Sequence, residues 1–279
     1  AAPIVQTQGT AQGFHFDNAT MKPIINNEGW KKAFELYKAT GQYGPPDELN
    51  MDIGDTRALF KAGRCGLIVE WGDPGTLQLD DDAKSIRGKM YAISAVGSTE
   101  VLDRATGKLV PVSAATAPYA VDGINYAPFA AFGGWAGAVN KGADAKTKAA
   151  AYAFLSYMNQ AAQSGVDVTI GATGYNPYRT SQLASTDLWV KAGMPKALAD
   201  NYLGAINGAI NNLNMASDMK IPGAQKYTSV VLDTELARYL AGEISVDEAL
   251  ANIEEGWEEV TEDFGRDEQV ASQALALGL

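Results

Sequence analysis

Residues 55–75 constrain the fold more than any other stretch of this sequence. A helical segment from Asp55 to Ala62 stops at Gly63, and the chain then enters the apolar run Cys65-Gly66-Leu67-Ile68-Val69. That run ends in the turn Glu70-Trp71-Gly72-Asp73-Pro74-Gly75. A short apolar run between a helix and a Gly/Pro-rich turn reads as a strand buried on both faces. Such a strand belongs to a sheet covered by helices, and the turn at its end is where an α/β sheet offers side chains to a ligand cleft. The 29 glycines suit a chain with many strand–helix turns, and 279 residues suffice for one or two domains.

The same alternation runs through the first two thirds of the chain. Residues 27–39 read as an amphipathic helix capped by Asn27, with Trp30, Ala33, Phe34 and Tyr37 on one face and Gly41 after it. Lys89–Val96 and Ala130–Val139 read as strands, separated by a polar Thr/Ala/Ser-rich excursion. Asp144 caps a helix that runs through Gln160 and carries Ala150, Phe154, Tyr157 and Met158 on its apolar side. Val166–Ile170 has the composition of a short strand before the turn Gly171–Arg179. The remainder is helical: Asp187–Leu213, broken around Gly193-Met194-Pro195, then Thr228–Ala241 and Ser245–Thr261 on either side of Gly242. Ser245 with Glu248 three residues later is a capping-box pattern.

Composition closes off several kinds of chemistry. One cysteine, Cys65, excludes an intrachain disulfide and multi-cysteine zinc sites, and its apolar neighbours make it a small core residue. One histidine, His15, would have to serve any Ser-His or Cys-His arrangement, yet Gly13-Phe14-His15-Phe16 reads as an alternating strand. Zinc-protease, P-loop and dinucleotide fingerprints are missing, so no enzyme activity and no cofactor are expected. Asp80-Asp81-Asp82 lacks the alternation and central glycine of a calcium loop and reads as solvated. A net charge of −11 repels nucleic acid and anionic membranes. Ala1-Ala2-Pro3 has no charged head leading into an apolar stretch, so a targeting segment, if used, lies outside this sequence.

Four blocks, in this order, carry a resemblance to a known family. The first is Phe60-Lys61-Ala62-Gly63-Arg64-Cys65-Gly66-Leu67-Ile68-Val69-Glu70-Trp71. The second is Gly133-Gly134-Trp135-Ala136-Gly137-Ala138-Val139-Asn140-Lys141, followed by the Ala-rich helix with Ala153-Phe154-Leu155. The third is Gly174-Tyr175-Asn176-Pro177-Tyr178-Arg179. The fourth is the tail with Ile221-Pro222-Gly223, Leu240-Ala241-Gly242-Glu243, Ala249-Leu250 and Trp257. Together they resemble the family 1 bacterial extracellular solute-binding proteins, the sugar-binding group that includes maltose-binding protein. Gly66 departs from the alanine usual in that family.

The resemblance implies an α/β fold of the type II periplasmic-binding kind: two lobes with hinge strands, a first lobe that is incomplete, and a helical C-terminal tail. Residues 1–94 and 180–279 would form the lobe of C-terminal type, and 95–179 the hinge with the remaining part of the N-terminal type. It also implies a periplasmic or extracellular location, capture of a sugar or oligosaccharide, and delivery to the membrane subunits of an ABC transporter. The other reading keeps the fold and assigns a polyamine or other small solute, sensed by a segment of a larger receptor. Sugar sites set aromatic faces against the pyranose and polar groups against its hydroxyls. Trp71 and Trp135, both in Gly-flanked turns, are therefore either cleft-facing or core. Trp30 and Trp257 sit at helical spacing and read as core, and Trp189 is undecided. Asp73, like Glu70, either binds ligand hydroxyls or caps the next helix. Arg179 either binds the ligand or forms a hinge salt bridge. Tyr175 and Asn176 are neighbours, and Gly133 and Gly134 would let the backbone approach the ligand.

Overall fold

The computed structural model describes every residue except Phe132 and Gly133. About half of the chain is helical and the strands form small sheets, a mixed α/β composition. Two compact units divide the chain: Ala1–Asn50, Ala95–Gly133 and Ala209–Leu279 form one, and Met51–Ser94 with Gly134–Gly208 form the other. The stretch 95–179 is thus shared between them, and so is 1–94.

The first unit is organised by helices that begin where the sequence offers a cap. Asn27 Oδ1 accepts from the amides of Gly29 and Trp30 at 3.0 and 3.1 Å, starting the helix Glu28–Thr40. Ser245 Oγ accepts from Glu248 N at 3.2 Å and starts Val246–Phe264. Gly242, left-handed at φ 80°, ends Asp233–Ala241, which continues a π-helical turn over Lys226–Leu232. Trp30 and Trp257 are buried as expected, in a core with Phe14, Phe16, Phe34, Tyr227, Tyr239, Leu250 and Ile253. Each large aliphatic side chain there contributes about 1.5–3 kcal/mol relative to exposure. Trp257 Nε1 donates to the Tyr227 carbonyl at 2.8 Å, and Tyr227 Oη lies 2.9 Å from Thr261 Oγ1, so these two buried polar tips are paired.

Every strand among the described residues lies in this unit. Glu100–Asp103 pairs antiparallel with Lys108–Pro111, Val101 opposite Val110, inside the stretch read as a polar excursion. Asp103 makes the turn by accepting from Ala105 N and Thr106 Oγ1 at 3.0 and 2.8 Å. Gly97–Ser98 pairs antiparallel with Asn125–Tyr126, and Phe129–Ala130 pairs parallel with Ala216–Ser217.

The second unit contains no strand among the described residues, which corrects several expectations. Cys65–Val69 is irregular, with a bend at Gly66, and pairs with no strand among the described residues; Leu67 is 92% and Val69 96% exposed. Lys89–Val96 is likewise unpaired, and of the described residues in Ala130–Val139 only Ala130, at the end of the strand Phe129–Ala130, is in a strand. A strand exists when a neighbour accepts its N–H groups and donates to its carbonyls, and among the described residues no backbone–backbone hydrogen bond involves residues 66–70, 90–96 or 134–139. Val166–Ile170 is no strand either: the helix Ala161–Asp167 runs into it, and Val168 is fully buried in a core with Trp189 and Tyr202. Packing there overrides the β-propensity of the two valines.

Helices in this unit keep closer to their sequence signals. Asp52 and Asp55 form a reciprocal capping box at the start of Ile53–Lys61. Asp144 caps Ala145–Met158, whose apolar side is uncovered: none of its residues is buried, and Phe154 and Tyr157 are more than half exposed. Asp187–Lys191 and Lys196–Ile210 flank the predicted break. Trp189, undecided from sequence, is fully buried with Val168, Met194, Leu198, Tyr202 and Leu203.

Candidate functional site

Three segments that are distant in sequence meet in the second unit. The helix Ile53–Lys61 and the turn it leads to supply Trp71 and Gly72. The Gly134–Trp135 segment supplies an indole, and the short helix Gly171–Thr173 delivers the turn Gly174-Tyr175-Asn176. Gly72 touches Asn176 so closely that a Cβ on it would lie 2.5 Å from the Asn176 amide oxygen. On the other side of that turn, Trp135 Nε1 donates to the Gly174 carbonyl at 3.2 Å. Gly174 adopts φ +70°, a left-handed conformation that glycine takes without a steric penalty.

Both indoles reach the surface. Trp135 is 81% exposed, its nitrogen edge bonded to Gly174, and Trp71 is 37% exposed. Tyr175 is half-buried and packs on the core that holds Trp189 and Tyr202. Trp71, Gly134, Trp135, Tyr175 and Asn176 are therefore brought together around one turn; Gly133 lies outside the described residues.

Two expected residues have other partners. Asp73 is buried at 2% exposure, and its Oδ2 lies 2.9 Å from Arg57 Nη2. It stands at the start of the helix Asp73–Leu79 but makes no side-chain cap there. Arg57 simultaneously holds Glu70 through Nε at 2.9 Å and Nη2 at 2.7 Å, a two-nitrogen grip on one carboxylate. Burial pushes the Glu70 and Asp73 carboxyls above their ordinary range, with Arg57 opposing the shift. Arg179 forms no ion pair with a carboxylate among the described residues. Its Nε donates to Ser164 Oγ at 3.1 Å and its Nη2 to the Asn159 carbonyl, tying the end of one helix to the start of the next.

The missed residues are Arg57 and Tyr202. Arg57 precedes Glu70 by thirteen positions with a helix end and an irregular run between them, so no periodic spacing announces their contact. Tyr202 is buried, its hydroxyl has no hydrogen-bond partner among the described residues, and burial together with the charge of Asp73 drives its pKa upward.

In the first unit, His15 is enclosed by Phe14, Phe16, Trp30, Phe129 and Trp257, and burial lowers its pKa to about 4. A cavity of about 10 Å³ beside it, bordered by Gln6, Asp218 and Gln273, has room for about one water. That is too small for a solute. Among the described residues no cluster of three His, Cys, Asp or Glu side chains is placed to hold a metal ion.

Charge is divided unevenly. The first unit holds 22 of the 33 acidic side chains and 10 of the 22 basic ones, hence −12, whereas the second is at +1. The aromatic turn therefore lies in the nearly neutral unit. No family model matches the sequence, and none of the curated proteins compared with it does either.

Proposed function

We propose that this chain is a solute-binding protein that captures a small sugar or polyol on the turn formed by Trp71, Gly134-Trp135 and Gly174–Asn176, and passes it to a membrane transporter. The fold class that accompanies this reading is the two-lobed type II periplasmic-binding kind, with the protein working outside the cytoplasm. One observation carries it: the Gly72–Asn176 and Trp135–Gly174 contacts bring together, from three separate segments, an exposed indole, an amide and the turn that bears the second indole, Trp71. An indole face is the chemistry that a pyranose's C–H face prefers, and an amide beside it pairs with hydroxyls at either its oxygen or its nitrogen.

No helix among the described residues is long and apolar enough to cross a membrane, so the reading assigns transport itself to partner subunits. Its test is a panel of neutral mono- and oligosaccharides and polyols, followed by thermal unfolding and by tryptophan emission. A member of the panel should raise the melting temperature and change the emission, and Trp135→Ala should abolish both. A panel with no effect on either signal, or an effect that Trp135→Ala leaves intact, overturns the reading.

A further inference from the structure

We propose that Arg57 determines which solutes this site accepts: it is a built-in cation that occupies the two carboxylates flanking Trp71 and thereby restricts the site to uncharged molecules. The proposal rests on the reading of the Trp71–Trp135 turn as a solute site.

Glu70 and Asp73 bracket Trp71 and Gly72, and their side chains are only 8% and 3% exposed. Left alone, two carboxylates beside an aromatic face would form a site for an ammonium group, since both attract cations. Arg57, itself 16% exposed, fills that position from the helix Ile53–Lys61. Its Nε and Nη2 grip Glu70, and its Nη2 lies 2.9 Å from Asp73 Oδ2. An incoming amine would have to displace a guanidinium tethered to the same chain and held by two partners. The clamp also has a positioning effect. It ties the turn that carries Trp71 to the helix Ile53–Lys61. Removing the guanidinium leaves a vacancy lined by two carboxylates, with the buried and unpartnered Tyr202 hydroxyl under the influence of Asp73. That is a cation site.

The experiment measures spermidine binding by calorimetry to the wild-type chain, Arg57→Met, and the triple variant Arg57→Met/Glu70→Gln/Asp73→Asn. Expected is no measurable spermidine binding by the wild type, at least a tenfold gain in Arg57→Met, and return to the wild-type level in the triple variant. If Arg57→Met does not fold, Glu70→Gln/Asp73→Asn, which keeps Arg57 and the side-chain shapes, is expected to bind glucuronate at least tenfold more tightly than the wild type. Spermidine binding by the wild type equal to that of Arg57→Met overturns the proposal, as does a folded Arg57→Met with no gain. Failure of both Arg57→Met to fold and the double variant to gain glucuronate overturns it too. The neutral-sugar panel separates the two claims. Sugar binding that survives Trp135→Ala removes the solute site, whereas sugar binding at that site with unchanged spermidine rejection in folded Arg57→Met removes only the role of Arg57.

Discussion

The amide oxygen of Asn176 stands 2.5 Å from where a Cβ on Gly72 would be, and Ile206 Cδ1 stands 3.0 Å from the same point. Gly72 has an ordinary right-handed backbone, φ −75°, so space and not conformation requires a glycine there. Both obstructing atoms end rotatable side chains, which can swing aside. Gly72→Ala is therefore expected to cost only about 0.5–1.5 kcal/mol, the scale of a displaced rotamer, in denaturant unfolding. Solute affinity should fall by more, because Asn176 leaves its place. A structure of the variant with Asn176 unmoved would contradict this.

Trp135 and Trp257 should separate cleanly on mutation. Trp135 is mostly exposed, so Trp135→Ala should change stability by within about 0.5 kcal/mol while lowering solute affinity at least tenfold. Trp257 is fully buried and its nitrogen donates to Tyr227. Trp257→Ala is expected to cost about 3–5 kcal/mol. Paired unfolding and binding curves check both, and a large stability loss in Trp135→Ala would place that ring in the fold and not in a site.

Asn214 is a buried junction of the first unit. Its Nδ2 donates to the Gln6 carbonyl at 2.7 Å and to Asn125 Oδ1 at 3.0 Å, while its Oδ1 accepts from Gly9 N at 3.0 Å. Asn214→Ala leaves Gly9 N and Asn125 Oδ1 without this partner at about 1–3 kcal/mol each where no other forms, while the Gln6 carbonyl keeps Asn125 Nδ2 at 2.8 Å. Hydrogen exchange should show the Gly9 amide losing protection. An unchanged Gly9 exchange rate with full stability would refute the assignment.

His15 makes stability depend on pH. Burial holds its folded pKa at about 4, below the ordinary 6.5, with Asp218 opposing the shift. Between those values the unfolded chain binds the proton and the folded chain does not, so stability is complete above pH 6.5 and declines as pH falls toward 4. The full drop corresponds to about 3 kcal/mol. His15→Phe, set among Phe14, Phe16 and Trp30, should flatten this part of the profile. An equal slope in wild type and variant would assign the pH dependence to other groups.

Much of the helical structure was legible along the chain. Asn27, Asp144 and Ser245 each cap the helix that follows them, Gly242 ends another in left-handed geometry, and Trp30 and Trp257 fill the core side of theirs. The strand readings of 65–69, 89–96 and 166–170 were not met, because apolar, β-branched composition describes side chains and says nothing of a pairing neighbour. The converse holds for the hairpin 100–111, whose polar turn hid a pair of strands. The structure brings Trp71, Trp135, Tyr175 and Asn176 to one turn, from segments that carry glycines beside them. Nothing local showed that Asp73 would be buried on Arg57 or that Arg179 would join two helix ends.

By itself, then, the sequence determined where helices start and stop and which indoles go into the core, because a helix closes its hydrogen bonds within four residues and a cap acts within three. The tertiary structure alone decided which apolar runs found strand partners and which carboxylates stayed available. Strand ladders and ion pairs join groups that any short window of sequence holds apart, as Arg57 and Asp73 show.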